Sequence, residues 1–533
     1  MSHAKTDCRW ALLFFLPSTL LLLGCGAEIA TDASARKGQV FSEMPATAVF
    51  PSSDAPGDIS SAFNTETYDS IEENPFLTAM EQPQSTFSVD VDTASYANVR
   101  RLLSQGQRPP AGAVRIEELI NYFEYDYPEP LGPHPFSVTT ELAECPWQPE
   151  HQLLRVGLQG QSVDFEDRSP CNLVFLLDVS GSMQAANKLP LVQAAMRMLT
   201  EELQPNDRIA IAVYAGASGL ALPSTPVNRS AMILQAINQL QAGGSTNGAA
   251  GIHLAYQTAE ENFVEGGINR VILCTDGDFN VGTTNQSDLV DLVKEKAKSN
   301  VFLTVLGFGT GNLKDSTMEK LADKGNGNYG YIDSMLEARK MLVEEIGGTL
   351  MTIAKDVKIQ LDFNPSHIQA YRLIGYENRM LENRDFRDDA KDAGEIGAGH
   401  SVTALYEIVP AGAANVSPNE RKSEFVQSEV SVSADQGTQL TVNLRYKQPN
   451  EDIAKEFQVR VPASHDLREP SLDFQFTSAV AGYGMLLRGS EFAGAANWDW
   501  VIETADSSLG NDERGVRAEF LQLAKTARRV SAM

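Results

Sequence analysis

The sequence is poor in cysteine and histidine, the residues on which zinc sites and thiol redox centres depend. Its 533 residues include five cysteines and seven histidines. The cysteines form no CxxC pair, and the histidines are scattered without an HExxH or HxH spacing. Zinc binding and thiol redox chemistry therefore have no support in the sequence.

Positive charge and the common motifs of hydrolases are also scarce. The chain has 43 Lys and Arg against 70 Asp and Glu, which gives a formal net charge of -27. Such an excess of negative charge argues against nucleic acid or an anionic membrane surface as a partner. No GxSxG nucleophile motif is present, and the loop at Gly243–Gly244 lacks the lysine of a phosphate-binding P-loop. The sequence predicts a protein that is not an enzyme.

The longest N-terminal apolar run is too short to cross a bilayer as a mature helix. Lys5 and Arg9 precede this run, Ala11–Leu23. Basic residues followed by a short apolar run are typical of a secretory signal peptide, which we predict over residues 1–24. An ordinary secreted product and an uncleaved anchor are the alternatives.

The end of the predicted signal, Leu22-Leu23-Gly24-Cys25, resembles a bacterial lipobox. This resemblance implies that Cys25 is acylated and becomes the first mature residue, so that a lipid anchors the protein in the cell envelope. Gly26 stands where an aspartate would be associated with retention in the inner membrane. The outer membrane is therefore favoured if the cell has two membranes.

Residues 25–84 are rich in Ser, Ala, Pro, Asp and Glu and show little apolar periodicity. A composition of this kind cannot bury a core and predicts a disordered tether. Such a tether would hold the folded part of the protein away from the membrane.

Residues 85–168 are predicted to form an N-terminal α+β region. Helices are expected at Ser95–Gln105 and Arg115–Phe123, and strands at Phe136–Glu144 and Gln152–Gly160. The two strands precede the next domain but do not belong to its alternating pattern. We therefore expect them to pair with strands that follow that domain.

Oxygen-bearing side chains follow a buried strand in the middle of the chain. The apolar run Cys171–Leu177 predicts a strand of a parallel sheet that is covered on both faces. Asp178, Ser180 and Ser182 come directly after it, where the carboxyl end of a parallel strand would place a ligand site. Carboxylate and hydroxyl oxygens are ligands that hard cations prefer.

Two later segments complete the set of oxygen ligands. Thr246 lies in a glycine-rich loop before a predicted helix, and Asp276 follows a second buried run, Val271–Thr275. Together with the DxSxS segment they resemble the von Willebrand factor A domain and its metal-ion-dependent adhesion site. The positions that match the family pattern are Asp178, Ser180, Ser182, Thr246 and Asp276.

The resemblance implies a divalent cation that is incompletely satisfied by the protein. In the family, one octahedral position is completed by a carboxylate of the partner protein, so we expect a partner with an exposed Asp or Glu. Mg²⁺ suits a compact octahedral site that retains waters, with Mn²⁺ and Ca²⁺ as alternatives.

The alternation of strands and helices over residues 169–348 predicts the A domain itself, an α/β, Rossmann-like fold with a parallel-rich central sheet. Residues 349–533 change to alternating strands and then to helices, which predicts a C-terminal β-rich domain with terminal helices. We expect the A domain to be inserted in, or flanked by, a sandwich-like β module. Over residues 75–529 the chain resembles bacterial lipoproteins with a central A domain and the N-terminal and C-terminal regions typical of them.

The leading functional hypothesis is a membrane-anchored envelope lipoprotein that binds a protein partner through the metal. A metal-dependent hydrolase or accessory subunit of an envelope enzyme is one alternative, although it needs a base near the metal. A purely structural envelope scaffold is another. The sequence leaves open the partner, the process, the metal, the oligomeric state and a Cys145–Cys171 disulfide.

Overall fold

The structure is a computed structural model that describes residues 65–164, 168–244, 248–277, 286–413, 437–463 and 469–532. The predicted signal peptide, Cys25 and most of the predicted tether lie outside these ranges. None of the helices in the described part of the chain combines the length and apolar character needed to cross a membrane.

Strands and helices of the described residues are numbered in chain order. The strands are β1 (Leu77–Thr78), β2 (Gln84–Ser88), β3 (Phe136–Glu144), β4 (Gln152–Gly160), β5 (Cys171–Asp178), β6 (Arg208–Tyr214), β7 (Ser218–Pro226), β8 (Ile268–Thr275), β9 (Phe302–Phe308), β10 (Tyr329–Ile332), β11 (Thr352–Phe363), β12 (Ile368–Ile374), β13 (Met380–Leu381), β14 (Gly394–Gly397), β15 (Ser401–Pro410), β16 (Thr438–Lys447) and β17 (Ala454–Pro462). The α-helices are α1 (Ala94–Ser104), α2 (Ile116–Asn121), α3 (Leu189–Glu202), α4 (Ser230–Gln239), α5 (Gly248–Glu261), α6 (Gln286–Ala297), α7 (Asp315–Lys324), α8 (Met335–Arg339), α9 (Ile346–Leu350), α10 (Leu472–Arg488), α11 (Trp498–Ser507) and α12 (Val516–Ser531). A π-helical turn, Lys340–Glu344, lies between α8 and α9.

The central α/β layer is a sheet in the order β10-β9-β8-β5-β6-β7. Its neighbouring strands are parallel, except that the edge strand β7 runs antiparallel to β6. Side chains of β5 alternate between the two faces, so Phe175 joins an apolar cluster with α3 and α4, whereas Leu176 joins one with α5 and α7. The predicted α/β fold with its parallel-rich sheet is confirmed.

Two antiparallel sheets form the β module. One has the order β1-β12-β15-β4-β3 and the other the order β13-β2-β11-β16-β17, with β14 paired to β11. Apolar side chains from both sheets form one core between them. The pairing of β4 with β15 confirms that strands before the A domain pair with strands after it. The chain therefore leaves this module after β4 and returns to it at β11.

The C-terminal helices pack on the β module, as the sequence predicts. Helices α10, α11 and α12 share an apolar cluster with α1, α2 and side chains of the first of the two sheets. Members of this cluster are Tyr96, Leu119, Leu153, Leu405, Phe474, Val501 and Phe520. The domain limits after residues 84, 168 and 348 stay predictions.

Cys145, Cys171 and Cys274 are free and buried. The alternative of a Cys145–Cys171 disulfide is therefore wrong for this structure. Burial raises the pKa of each of these thiols, so they are in the neutral form at ordinary pH.

Candidate metal centre

The DxSxS segment folds into a tight loop at the carboxyl end of β5. An Asp178 Oδ1 atom accepts a hydrogen bond of 2.8 Å from the backbone N–H of Ser180, which turns the chain back over the strand end. The Oγ atoms of Ser180 and Ser182 then lie 2.9 Å apart. Ser180 is buried and Ser182 is exposed, so this pair of hydroxyls lies between the core and the solvent.

Backbone hydrogen bonds attach this loop to the glycine-rich loop that contains Thr246. The N–H of Gly243 donates to the carbonyl of Val179 at 2.7 Å, and the N–H of Gly181 donates to the carbonyl of Gly244 at 3.1 Å. Thr246 itself lies in residues 245–247, outside the described residues. The chain is described again from Gly248, where α5 begins.

Asp276 leaves the same edge of the sheet as Asp178. Strands β5 and β8 are adjacent and parallel, with Leu177 paired to Cys274. Burial raises the pKa of Asp178 to about 6, and the nearby charge of Asp276 adds to this increase. Asp178 is 0% exposed and Asp276 is 1% exposed, so both residues are fully buried. The structure therefore brings together Asp178, Ser180, Ser182 and Asp276.

Lys188 is a member of this site that the sequence analysis did not identify. Its Nζ donates to Asp276 Oδ2 at 2.8 Å, and Asn312 Nδ2 approaches the same oxygen at 3.3 Å. The aliphatic part of Lys188 passes Gly309, where an added Cβ would lie 2.3 Å from it. A lysine just before a helix usually indicates a solvated charge, but this one is only 6% exposed.

The donor chemistry of the four described residues fits a divalent cation. Mg²⁺ binds oxygen at about 2.1 Å, so neighbouring corners of its octahedron are about 2.9 Å apart. The Oγ atoms of Ser180 and Ser182 form a hydrogen bond with each other at 2.9 Å, so they are close enough to occupy neighbouring corners of such an octahedron. Two carboxylates and one ammonium leave the site with a net charge of about -1 before a metal binds, which favours a cation without neutralising a doubly charged one.

A second group of buried carboxylates lies at the contact between α2 and α7. Oxygens of Asp90, Glu118 and Glu319 lie within 4.8 Å of one another. Arg115 pairs with Glu118 and Glu319, and Arg379 pairs with Asp90 and Glu319. Since the two guanidinium groups contact all three carboxylates, we interpret this group as an ion network that joins the A domain to the β module.

Glu117, next to this network, gives a testable pH dependence. Burial and the charge of Glu377 raise its pKa to about 7, and its Oε2 has no hydrogen-bond partner. Because the folded pKa lies above the ordinary value of 4.5, the stability contribution is present below pH 4.5 and is lost as the pH rises to 7. E117Q is therefore expected to raise the free energy of unfolding at pH 8 by about 1–3 kcal/mol.

The E117Q prediction is checked by chemical unfolding at pH 4.5 and pH 8. The control is E503Q, which removes an exposed carboxylate of α11. An equal change at both pH values would contradict the assignment to Glu117.

Three family models match consecutive parts of the chain. Residues 62–155 match a model described as von Willebrand factor, and residues 172–344 match the von Willebrand factor type A domain. Residues 348–530 match the model described as uncharacterized protein YfbK, C-terminal.

Curated proteins match the chain over different lengths. The chain is 42% identical to the uncharacterized protein YfbK of Escherichia coli (strain K12) over 472 residues, which cover 87% of this chain and 81% of that protein. It is 29% identical to the uncharacterized protein sll0103 of Synechocystis, over 35% of this chain and 43% of that protein. It is 31% identical to human inter-alpha-trypsin inhibitor heavy chain H4, over 34% of this chain and 21% of that protein.

Among solved structures, the von Willebrand factor type A protein from Catenulispora acidiphila matches at a TM-score of 0.40. The sequence identity is 15%, and the match covers 73% of this chain and 89% of that one.

Proposed function

The chain belongs to the family of the Escherichia coli protein YfbK, and we propose that it is a cell-envelope lipoprotein that captures a protein partner through a divalent metal ion. Its von Willebrand factor A domain indicates an interaction or adhesion type of function. Our proposal adds to this type of function a dependence on a divalent metal ion and an anchor in the membrane.

The observation that carries the proposal is the 2.9 Å separation of the Ser180 and Ser182 hydroxyls beside Asp178. These side chains, with Asp276, would hold Mg²⁺, and Thr246 would join them from the neighbouring loop. When bound, the ion supplies a Lewis-acidic point that attracts a carboxylate. Mn²⁺ or Ca²⁺ would serve if their size were tolerated.

The charge of the site supports capture of a carboxylate rather than simple storage of a cation. Asp178 and Asp276 contribute two negative charges, and the Lys188 ammonium on Asp276 offsets one of them. A divalent ion would leave a net positive charge of about one at the exposed hydroxyl of Ser182. An Asp or Glu of a partner protein provides the matching charge.

The predicted lipid anchor would hold this site at the envelope. Acylation of Cys25 would fix the chain to a membrane, and the part of the predicted tether that precedes the described residues, 25–64, would allow the A domain to reach a partner. With a net charge of -27, the protein would be repelled by nucleic acid. We propose no enzyme activity, because the carboxylates that lie at the proposed metal site among the described residues are its own ligands, Asp178 and Asp276.

The test of this function compares the native protein with the double variant S180A/S182A in pull-downs from envelope extracts. With Mg²⁺ present, the native protein should recover a defined set of proteins that a chelator releases. The double variant should lose at least 90% of that recovery, because two neutral oxygen ligands are removed without a change in charge. The control is S366A/S507A, which removes two exposed serines elsewhere.

A structural scaffold predicts a different outcome, in which the same proteins are recovered with chelator and with S180A/S182A. A hydrolase predicts turnover of a phosphoester or peptide that D178A abolishes. Either result, together with retained folding measured by circular dichroism, would contradict the capture hypothesis.

A further inference from the structure

Arg270, near the start of β8, is a buried cation with an unusual set of contacts. It is 1% exposed, and its Nη1 donates to Thr304 Oγ1 at 2.6 Å. Its Nη2 reaches the Leu350 carbonyl and Thr352 Oγ1 only at 3.4 Å, and its Nε has no hydrogen-bond partner. No carboxylate among the described residues forms an ion pair with it.

Other buried arginines of the described chain contact at least one carboxylate. These are Arg100, Arg101, Arg115, Arg155, Arg168, Arg372 and Arg379. Burial of a charge without a counter-ion costs several kcal/mol, and proteins usually avoid it. Burial lowers the pKa of Arg270 to about 10, and the more distant charge of Glu395 opposes this change only in part. The guanidinium is therefore short of negative charge.

A cavity of about 750 Å³ lies beside this guanidinium. Both connections between the A domain and the β module line it, at Arg168–Ser169 and Leu350–Thr352. The turn before β8, the turn between β16 and β17, which contains Asn450, and the residues Asn300 and Phe302 near the start of β9 also line it. Volumes of roughly 300–1,000 Å³ are typical of sites for small molecules.

The other charged groups in the lining do not neutralise Arg270, so a negatively charged ligand can pair with it. Arg168 is paired with Asp207 through both terminal nitrogens, and Glu265 is an exposed carboxylate at the rim. Polar uncharged groups are supplied by Asn300 and Asn450, whereas the amide of Asn269 already donates to the carbonyls of Val264 and Gly267. Such amides donate hydrogen bonds to carboxylate or phosphate oxygens.

We propose that this cavity binds a small anionic ligand through a carboxylate or phosphate group that pairs with Arg270. The ligand would contact the A domain and the β module at the two connections between them. The site lies at the amino-terminal end of β8, whereas Asp276 follows the carboxyl-terminal end of the same strand. It is therefore separate from the metal centre and does not depend on the function proposed above.

The experiment measures the thermal unfolding of the full chain in chelator, with phosphate, succinate or chloride at matched ionic strength. Phosphate or succinate should raise the Tm of the native protein by several degrees in a saturable manner, and chloride should not. The anion that saturates at the lower concentration distinguishes a phosphate ligand from a carboxylate ligand. R270M, which removes the charge, should lose at least 90% of this increase.

Two further variants separate ligand binding from a structural role of Arg270. N450D places a negative charge in the lining from an exposed turn and should raise the apparent Kd at least threefold. R384Q, which removes an exposed arginine, should behave as the native protein does. If R270M lowers the Tm equally with and without the anions, or if the native protein shows no saturable increase, the cavity is not an anion site.

Discussion

D178N is expected to weaken Mg²⁺ binding at least 100-fold and to leave the metal-free protein at least as stable as the native one. Asp178 is fully buried, and two charges 4 Å apart interact by about 4 kcal/mol at an effective dielectric constant of 20. A 100-fold loss corresponds to about 2.7 kcal/mol, which lies within that attraction. The asparagine retains an oxygen that can accept the Ser180 N–H, so the loop keeps its turn.

The stability of D178N follows from the raised pKa of the native carboxyl. Its folded pKa of about 6 lies above the ordinary 3.8, so the native metal-free protein loses stability as the pH rises from about 4 to 6. The asparagine carries no charge and avoids this loss at pH 8. Residues that are needed for binding often lower the stability of the unliganded protein, as we expect for the ionised Asp178.

Calorimetric titration with Mg²⁺ and chemical unfolding in chelator at pH 8 measure the two effects. D452N, which removes a fully exposed carboxylate, is the control and should change neither quantity. Equal Mg²⁺ affinity in D178N and the native protein would exclude Asp178 from the metal centre.

K188M is expected to lower the stability of the metal-free protein and to strengthen its binding of Mg²⁺. In the metal-free protein, loss of the ammonium leaves Asp276 buried without its cationic partner, and the free energy of unfolding should fall by about 2–4 kcal/mol. The same change makes the site more negative, so Mg²⁺ should bind at least tenfold more tightly. Saturating Mg²⁺ should therefore restore most of the lost stability.

Unfolding of K188M at increasing Mg²⁺ concentrations measures both effects in one series. K298M serves as the control, because Lys298 pairs with an exposed glutamate on the surface of the protein. Unchanged stability in chelator together with unchanged Mg²⁺ affinity would show that Lys188 does not balance the charge of Asp276.

Much of the fold could be predicted because local patterns and tertiary context agree. Strands β5 and β8 contain the apolar segments Leu173–Leu177 and Val271–Cys274, and both strands are buried on both faces. Strand β12, in contrast, was not predicted, because Arg372 interrupts its apolar pattern. In the fold this arginine is buried and pairs with Glu407 at 2.9 Å, a contact between residues far apart in sequence. Strand β7 was missed because Pro223 and Pro226 read as a loop, although edge strands accept proline.

The oxygen-bearing residues of the candidate site were predicted from the sequence. The positive charge that Lys188 adds to the site was not predicted. The spacing of Asp178, Ser180 and Ser182 identifies one loop, and parallel pairing brings Asp276 to the same edge. That these residues and Thr246 bind a metal stays a prediction. Lys188 was not identified, because its role depends on the path of its side chain past Gly309, which sequence spacing does not reveal.

The position of β5 has a mechanical consequence for the proposed capture of a partner protein. This strand joins the proposed docking loop to the incoming connection at Cys171, and it is hydrogen-bonded to β6 on one side and β8 on the other. A pull on Ser182 resisted at Cys171 would run along the strand and load both rows of backbone hydrogen bonds together. Tension would have to shear the middle of the sheet instead of peeling an edge, so the proposed contact with the partner should break before the domain unfolds.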